Sequence, residues 1–494
     1  MAHRGWSLTS AYVARKSGIL QTDVTEAIIG ADLLAHYHLL LDVGNARLVD
    51  SVTGLAVTGF RRNTAMHSAK LVHATEDCTS ASMSSESEEV QPSKDVEEKL
   101  QILHLPTEIL LKIFSFLDAK FLVSSVSLVC RQFHAILVDP NMWKYRVKKR
   151  MKYSYPAIGN EDAIDWQRAC VSLESERFYW THRHETMLQL EPADYVHIAA
   201  VDSVALIHGG QLCVSGSRDR SLALWDLTST GSVNGYLRQD AHSGWIWALL
   251  PDAKEPGTLY SCSWDYTVKC WDVHRVLEQR SSTALKAAVL SLTQITQSSV
   301  LACGQYTGHV ALVDTRCSGD GPASLLRPHH RAALGLASWG ENVLVSASEE
   351  GRLVTTDLRS PDSPLAQLTL SECFPESSQI KSYPTCLSVR GNSLYAGDSK
   401  GYVWLFDATG GRLKLVQSLD VEHGGQVTAV QQHEGVVLTA STDTTLRAFA
   451  PSCPLEQLSL IRTSGQVTGF DYLNGVLVTG STNCKVEIYT PRKR

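Results

Sequence analysis

A chain of 494 residues is longer than one compact hydrophobic core usually holds, so two or three domains are expected. The sequence is 44% hydrophobic and 19% charged, which is typical of an ordinary globular protein. Its net charge of −6 excludes a global basic field for nucleic acid or an anionic membrane surface, so any partner is recognised locally.

None of the twelve cysteines has the C-x-x-C spacing that zinc and redox sites use. The start of the chain shows no signal-peptide pattern, and no apolar run reaches the length of a membrane span. The sequence therefore predicts no metal, cofactor, nucleic-acid or membrane partner, and it favours the cytoplasm, the nucleus or both.

The N-terminal region divides into two parts. Residues 1–60 contain short apolar runs between glycines and polar breaks, and residues 22–57 resemble the C-terminal half of a retrotransposon-type protease. The catalytic Asp-Thr/Ser-Gly turn of that family is missing, and Asp32 and Asp50 do not stand in it, so no proteolysis is expected. A mobile-element exon and a gene-model artefact both explain this fragment. Residues 61–99 are rich in Ser and Glu and are predicted to be a disordered linker.

Helical periodicity begins near residue 100. Pro106 suits the start of a helix, and Glu108 complements the positive helix N-terminus. Apolar residues then recur at three- and four-residue steps, which predicts three short helices over residues 100–147. Residues 148–183 are predicted to be a helical or irregular connector.

From residue 184 to 494 the pattern changes to short strands separated by turn residues, and it repeats seven times. The turn positions lie 40 to 50 residues apart. They are Asp219, Asp265, Thr307, Glu350, Lys400, Asp443 and Asn483. Four short strands cannot bury both faces of one sheet, but seven such sheets arranged radially cover one another, so the fold class predicted is mainly β, with a seven-bladed propeller.

These repeats resemble the WD40 family, whose dipeptide stands intact as Trp225-Asp226 and Trp271-Asp272. In that family a buried hydrogen-bond network stabilises each blade, and the second copy carries its fullest version. Its members here are His242, Ser261, Asp265 and Trp271. The first copy shows no histidine at the expected place, while His330 and His423 recur at repeat positions. The turn aspartates are therefore interpreted as structural rather than catalytic.

The last copy ends after its third strand, near Tyr489. Residues 184–192 precede the first copy and are the natural donors of the missing outer strand. In the WD40 family this join closes the ring, so we expect no exposed sheet edge here.

Residues 101–147 resemble the F-box, with Phe133 where many members carry Trp. The resemblance implies docking on a Skp-type adaptor, which links to a cullin and a RING protein. The residues that match the adaptor-binding motif are Leu105, Pro106, Ile109, Leu110, Ile113, Phe114, Leu117, Val129, Cys130 and Trp143.

An F-box followed by WD repeats resembles the F-box/WD receptors of ubiquitin ligases. The resemblance implies a non-catalytic subunit that holds the adaptor through the F-box and a substrate protein through the propeller. The alternative is a cullin-independent scaffold that binds the adaptor and a partner protein.

The substrate site is predicted at the residues just before each turn position, which face the narrow end of a propeller. Arg218 matches the place where relatives present an arginine to a phosphorylated degron, but the other six positions supply no second arginine. Trp247, Trp264 and Tyr306 favour instead an aromatic, partly apolar patch. Both readings of the site remain open at this level.

Overall fold

A computed structural model describes residues 105–156, 158–159, 164–190, 196–228, 233, 235–316, 321–373 and 381–492. It also describes the backbone of three strands, β1 (Leu39–Asp42), β2 (Arg47–Asp50) and β3 (Ala56–Thr58), which pair in that order as an antiparallel sheet. The predicted disordered linker at 61–99 lies outside the described residues. The chain divides into two compact units, residues 1–142 and 143–494.

The helical module begins at α1 (Thr107–Phe114), directly after Pro106. It continues through α2 (Ala119–Ser124), a 3₁₀ turn (Val126–Leu128), α3 (Arg131–Val138) and α4 (Pro140–Arg150). Four α-helices therefore stand where three were predicted. The physical reason is Cys130, which is extended (φ −154°, ψ 164°) and whose Sγ accepts a hydrogen bond from the Phe133 N–H at 3.4 Å, so that a new helix starts there.

The first unit has a small core of its own. Leu110, Phe114 and Leu117 are buried, and the rings of Phe114 and Phe133 meet edge to face at 5.2 Å. This core is formed by few side chains, as expected for a helical module of this size.

The connector is helical, with α5 (Trp166–Thr181) and α6 (Arg183–Thr186). Asp165 caps α5 by accepting a hydrogen bond from the Arg168 N–H at 3.0 Å. Arg146 of α4 makes a two-pronged ion pair with Glu174 of α5, at 2.8 and 2.9 Å, and both side chains are largely buried. Residues 146–152 include several lysines and arginines, and Arg146 among them has a structural role in joining α4 to α5.

The C-terminal half of helix α5 packs against the propeller. The buried Trp180 belongs to one hydrophobic cluster with residues of the last two blades, among them Leu438 and Leu477. Glu176 accepts hydrogen bonds from Trp180 Nε1 at 3.0 Å and from the Tyr472 hydroxyl at 2.8 Å. Burial raises the pKa of Glu176, and these two hydrogen bonds oppose the rise.

Seven four-stranded antiparallel sheets follow, numbered here as blades 1 to 7. Blade 1 contains β5 (Val201–Ile207), β6 (Leu212–Ser217), β7 (Leu222–Asp226) and β8 (Gly235–Arg238), and blade 2 contains β9 (Ile246–Pro251), β10 (Thr258–Ser263), β11 (Thr267–Asp272) and β12 (Glu278–Ala284). Blade 3 contains β13 (Val289–Gln294), β14 (Val300–Gln305), β15 (Val310–Asp314) and β16 (Ser324–Leu326), and blade 4 contains β17 (Ala333–Trp339), β18 (Val343–Ser348), β19 (Arg352–Asp357) and β20 (Pro364–Thr369).

Blade 5 contains β21 (Pro384–Arg390), β22 (Ser393–Asp398), β23 (Tyr402–Asp407) and β24 (Lys414–Asp420). Blade 6 contains β25 (Val427–Gln432), β26 (Val437–Ser441), β27 (Thr445–Ala450) and β28 (Glu456–Arg462). Blade 7 contains β29 (Val467–Leu473), β30 (Val476–Ser481), β31 (Val486–Pro491) and the early strand β4 (Met187–Leu190). The first strand of each blade contacts the first strand of the next, and β29 contacts β5. The prediction of a seven-bladed propeller is confirmed.

The ring is closed by β4, which pairs antiparallel with β31. The register joins Gln189 to Tyr489 and Leu188 to Thr490. Beyond the strands, the Arg492 N–H donates to the Thr186 carbonyl at 2.8 Å, and its side chain donates to the Met187 carbonyl at 3.0 Å. The outer strand of blade 7 is therefore donated by residues from before blade 1, within the segment predicted from the sequence.

No helix in the described part of the chain is long and apolar enough to cross a membrane.

Candidate binding surfaces of the helical module and the propeller

The first candidate surface lies on α1. Pro106, Ile109 and Ile113 follow one another at steps of three and four residues, which places them on one side of the helix. Ile109 is 37% exposed and Pro106 is exposed, while Leu105 and Ile113 are half-buried. This part of the predicted adaptor-binding set is available to a partner.

Four members of the predicted adaptor-binding set are buried instead. Leu110, Phe114, Leu117 and Trp143 are 5% exposed or less. On α1 the first two lie one position beyond Ile109 and Ile113, so adjacent stripes of the same helix face inward and outward. In this structure the four side chains are buried and do not form an exposed surface.

Apolar exposure continues beyond α1. Val129 and Cys130 are half-buried, and the preceding residue, Leu128, is 71% exposed. Val138 at the end of α3 is 60% exposed. Leu128 and Val138 are not among the residues predicted to bind the adaptor, because both belong to apolar runs that are equally compatible with a core position. Their exposure enlarges the apolar surface that the helical module presents.

Inside the propeller, blade 2 contains the predicted hydrogen-bond network. Trp271 Nε1 donates to Ser261 Oγ at 2.8 Å, and Ser261 Oγ lies 2.7 Å from His242 Nε2. His242 Nδ1 lies 2.9 Å from Asp265 Oδ2. A neutral His242 that carries its proton on Nδ1 satisfies all these groups, because Ser261 can then donate to Nε2. The network joins the turn to β10, to β11 and to the loop that precedes β9.

Blade 1 carries the same network, which the sequence analysis did not find. His197 Nδ1 lies 2.9 Å from Asp219 Oδ2, and His197 Nε2 lies 2.8 Å from Ser215 Oγ. Trp225 Nε1 completes the set by donating to Ser215 at 2.9 Å. The prediction that the first copy lacks its histidine was wrong. A sequence pattern could have identified this histidine, because in blade 1 and in three other blades a histidine stands 20 to 23 residues before the turn acid.

A second correction concerns blade 4. The buried histidine there is His329, which lies 2.8 Å from Ser346 Oγ and 3.1 Å from Glu350 Oε1. Its neighbour His330 is exposed. Blade 4 thus uses a glutamate and lacks the tryptophan, since Thr356 stands in its place.

The remaining blades depart further from the pattern. Blade 6 keeps His423, which contacts Asp443 at 3.0 Å and Thr439 at 2.8 Å. In blade 5 the fully buried Asp398 accepts from Trp404 Nε1 at 3.0 Å and from Ser382 at 2.7 Å, with no histidine between them. The turn acids are thus occupied by structural hydrogen bonds.

We expect these histidines to make the propeller less stable in mild acid. Burial lowers the pKa of His242, His329 and His423 below the ordinary 6.5, although the neighbouring carboxylates oppose the change. The unfolded chain therefore binds more protons as pH falls through about 6.5, which favours unfolding. The turn acids Asp265 and Asp443, whose pKa values are lowered by their hydrogen bonds against the effect of burial, stay ionised in this range.

The measurement is the apparent melting temperature at pH 7.5 and at pH 5.5. It should fall by several degrees at the lower pH. The exposed His330→Asn variant should keep the same pH dependence as the unaltered chain. A melting temperature that rises on acidification would contradict the expectation.

The second candidate surface lies at one end of the propeller. In every blade, the N–H of the residue before the turn position donates to the carbonyl of the residue that precedes the innermost strand, at 2.9 to 3.1 Å. The seven donors therefore lie at the same end of their blades. They are Arg218, Trp264, Tyr306, Glu349, Ser399, Thr442 and Thr482.

Across blades 2 and 3 this end carries four aromatic side chains, Trp245, Trp247, Trp264 and Tyr306, which we call the aromatic rim. The Trp264 ring lies 6.3 Å from Trp245, 6.1 Å from Trp247 and 5.3 Å from Tyr306, measured between centroids. Trp245, Trp264 and Tyr306 are 45%, 39% and 57% exposed. The structure thus brings together three residues predicted from the sequence and adds Trp245.

Arg218 extends this row on blade 1, but its charge is already paired. Its Nε and Nη2 donate to the two carboxylate oxygens of Asp202 at 2.8 and 3.1 Å. Its guanidinium carbon lies 5.0 Å from the Trp245 ring centroid and 5.8 Å from that of Trp247. Arg218 therefore lies at the edge of the aromatic rim, with its Nε and Nη2 groups bonded to Asp202.

Comparisons with known proteins agree with this architecture. The F-box-like family model matches residues 102–149, and the model of the WD domain, G-beta repeat, matches residues 195–226 and 234–272. The chain is 34% identical over 363 residues to F-box/WD repeat-containing protein 9 of Homo sapiens, an alignment that covers 72% of this chain and 74% of that protein. The chain belongs to the F-box/WD repeat-containing protein family.

Two further relatives of this F-box/WD chain support the assignment. It is 35% identical to F-box/WD repeat-containing protein 9 of Bos taurus, with the same two coverages of 72% and 74%. It is 28% identical to F-box/WD repeat-containing protein mec-15 of Caenorhabditis elegans, over 62% of this chain and 75% of that protein. The human and bovine relatives are both of the number nine type within the family.

Proposed function

We propose that this chain is the substrate-recognition subunit of a Skp adaptor–cullin–F-box ubiquitin ligase. The F-box binds the adaptor, and the propeller binds a target protein, which is then ubiquitinated and degraded. The chain itself supplies no catalytic group in this proposal, since the adaptor connects it to a cullin and a RING protein that carry out the ligation. It acts in the cytoplasm, the nucleus or both.

The observation that carries the proposal is the combination of two separate partner surfaces in one chain of this family. Ile109 and Leu128 expose apolar surface on a helical module with few buried side chains of its own, which suits a partner that completes the burial. Trp264 and Tyr306 expose aromatic surface at one end of a closed propeller. Exposed aromatic clusters of this kind are frequent centres of protein recognition.

Ion pairs join the connector helix α5 to α4 and to the propeller within the second unit. The Arg146–Glu174 pair fixes α4 to α5, and Arg177 of α5 makes a two-pronged pair with Glu456 of blade 6, at 3.0 and 2.6 Å. Arg168 and Arg390 both pair with Glu434, at 2.7 and 2.6 Å.

The test is affinity purification of the tagged full chain from cells, followed by detection of the adaptor and the cullin. Both should be recovered, and the proteins retained by the propeller should have longer half-lives when the chain is removed. Recovery of the adaptor without the cullin, with unchanged half-lives, would instead support a scaffold that acts independently of cullin. Recovery of neither would refute the F-box assignment.

A further inference from the structure

A cavity of about 510 Å³, partly open to solvent, lies between the connector and the propeller. The propeller lines it with residues 390–393, where β21 turns into β22, and with residues 432–434, where β25 ends. These turns join a first strand to a second, whereas the aromatic rim lies where second strands turn into third strands. The cavity and the aromatic rim are therefore at opposite ends of the propeller. Its volume falls in the range of roughly 300–1,000 Å³ that is usual for small-molecule sites.

Part of the cavity wall is apolar. The aliphatic and proline side chains that line it are Pro156, Ile158, Ile164 and Pro451. The ring of Tyr155 lies beside them and meets the Trp166 ring edge to face at 5.7 Å, which holds it in place. This wall favours an apolar ligand body, which leaves water when it packs here.

The two acids of the lining already have donors. Glu434 Oε1 accepts from Arg168 Nη2 at 2.7 Å and from Arg390 Nη2 at 2.6 Å. Glu434 Oε2 accepts from Arg168 Nε at 2.9 Å and from Ser172 Oγ at 3.1 Å. Asp165 caps α5 through its Oδ1. Arg390 contributes a single N–H group to these contacts, so most of its guanidinium donors stay available.

Two further polar groups of the lining have no hydrogen-bond partner among the residues that the structure describes. They are the Tyr155 hydroxyl and His433 Nε2, of which the second is buried. Burial raises the pKa of Tyr155, so the hydroxyl keeps its proton and can donate. Burial and then the charge of Arg390 lower the pKa of His433 to about 4, so at pH 7 its ring is neutral and carries one N–H.

The hydrogen-bonding capacity that remains in this cavity thus consists largely of donors. A carboxylate only accepts hydrogen bonds, and it pairs with a guanidinium through short, charge-assisted ones. Arg168 and Arg390 are balanced by Asp165 and Glu434 in the lining. A ligand with one negative charge is therefore favoured over a dianion, whose second charge would have no counterpart there.

We propose that this cavity binds a small monocarboxylate with an apolar body. The carboxylate accepts hydrogen bonds from Arg390 and from the Tyr155 hydroxyl, and the apolar body packs against Ile158 and Ile164. The ligand contacts both the connector and blades 5 and 6. The inference goes beyond the proposed function and does not depend on it, because the cavity is remote from the aromatic rim and is formed entirely by residues of the second unit.

The experiment is a titration of the full chain with phenylacetate, followed by ligand-observed NMR. Phenylacetamide is the uncharged probe of the same shape, and inorganic phosphate is the probe with a higher charge and no apolar body. We expect phenylacetate to bind with a dissociation constant below about 1 mM, and the other two to bind at least about tenfold more weakly. Arg390→Gln should weaken phenylacetate binding at least about tenfold, and Tyr155→Phe roughly threefold, because each removes donors to the carboxylate.

Arg275→Gln is the matched control, because it removes the same charge from a side chain on blade 2 that is 72% exposed and lies outside the cavity. It should bind phenylacetate like the unaltered chain. Tyr155→Phe keeps the ring and its packing, so it reports on the hydroxyl even if Arg390→Gln lowers the melting temperature.

The proposal is overturned if phenylacetate does not bind below about 1 mM, or if phenylacetamide or phosphate binds as tightly. It is also overturned if both cavity variants bind phenylacetate like the unaltered chain, or if Arg275→Gln weakens binding as much as they do. None of these outcomes changes the recovery of adaptor and cullin, so failure here is distinct from failure of the proposed function.

Discussion

The triple variant Leu105→Ala/Pro106→Ala/Ile109→Ala is expected to lose adaptor binding at least a hundredfold while the propeller keeps its stability. These three residues lie at the start of α1 and are exposed or half-buried, so their truncation removes apolar contact area from the surface rather than from the core. Each apolar anchor at such an interface contributes about 1–2 kcal/mol, and roughly 3 kcal/mol in total corresponds to a loss of about two orders of magnitude.

The measurement is the dissociation constant of the full chain for the purified Skp-type adaptor, with melting temperature recorded in parallel. Lys149→Ala is the control, because it removes an exposed side chain from α4. It should leave adaptor affinity unchanged. Equal affinities for the triple variant and the unaltered chain would show that α1 does not form the adaptor-binding surface.

The second large effect is expected in blade 2. Asp265→Ala should lower the free energy of unfolding by about 2–4 kcal/mol and the melting temperature by roughly 5–10 °C. The Asp265 side chain is 8% exposed and accepts hydrogen bonds from His242 Nδ1, the Ser243 and Thr267 N–H groups and the Thr267 hydroxyl. Its removal takes the charged acceptor away from the buried His242 Nδ1, which keeps only the Thr267 hydroxyl at 3.1 Å. The loss of a hydrogen bond to a charged group costs more than the loss of an ordinary hydrogen bond.

Blade 3 offers a matched control for this variant. Thr307 occupies the same turn position, is exposed, and contacts His309 at 3.0 Å at the surface. Thr307→Ala should therefore change the unfolding free energy by less than about 0.5 kcal/mol. Thermal and urea unfolding of the two variants, compared with the unaltered chain, measures the difference. Similar melting temperatures for both variants would mean that the network contributes little beyond packing.

The propeller could be predicted from the sequence because its signals are local and repeated. A turn acid, a strand and an aromatic residue follow one another within a dozen residues, as in the segment from Asp219 to Trp225. Seven such signals at a regular spacing identify the architecture even where single blades are degenerate, as blade 3 is. Strand β4 could also be located, since a copy without its outer strand requires a donor from elsewhere in the chain.

Several features of the sites depend on residues that are distant in the sequence. His197 lies 22 residues before Asp219, so no pattern within one turn and strand reveals it, and only the spacing shared with three other blades does. The pairing of Arg218 with Asp202 joins a turn to the innermost strand of the same blade, and no local pattern predicts it. This pairing uses the Nε and Nη2 N–H groups of Arg218, and both readings of the substrate site stay predictions.

The sequence by itself determined that the chain carries an F-box and seven WD repeats, because both are specified by short-range spacings of apolar and turn residues. The tertiary structure alone decided which side chains of those motifs face outward. On α1 a rotation of one residue separates the exposed Ile109 from the buried Leu110, and periodicity does not say which stripe meets the core. In the propeller, only the radial arrangement of the blades gathers Trp245, Trp264 and Tyr306 into one surface.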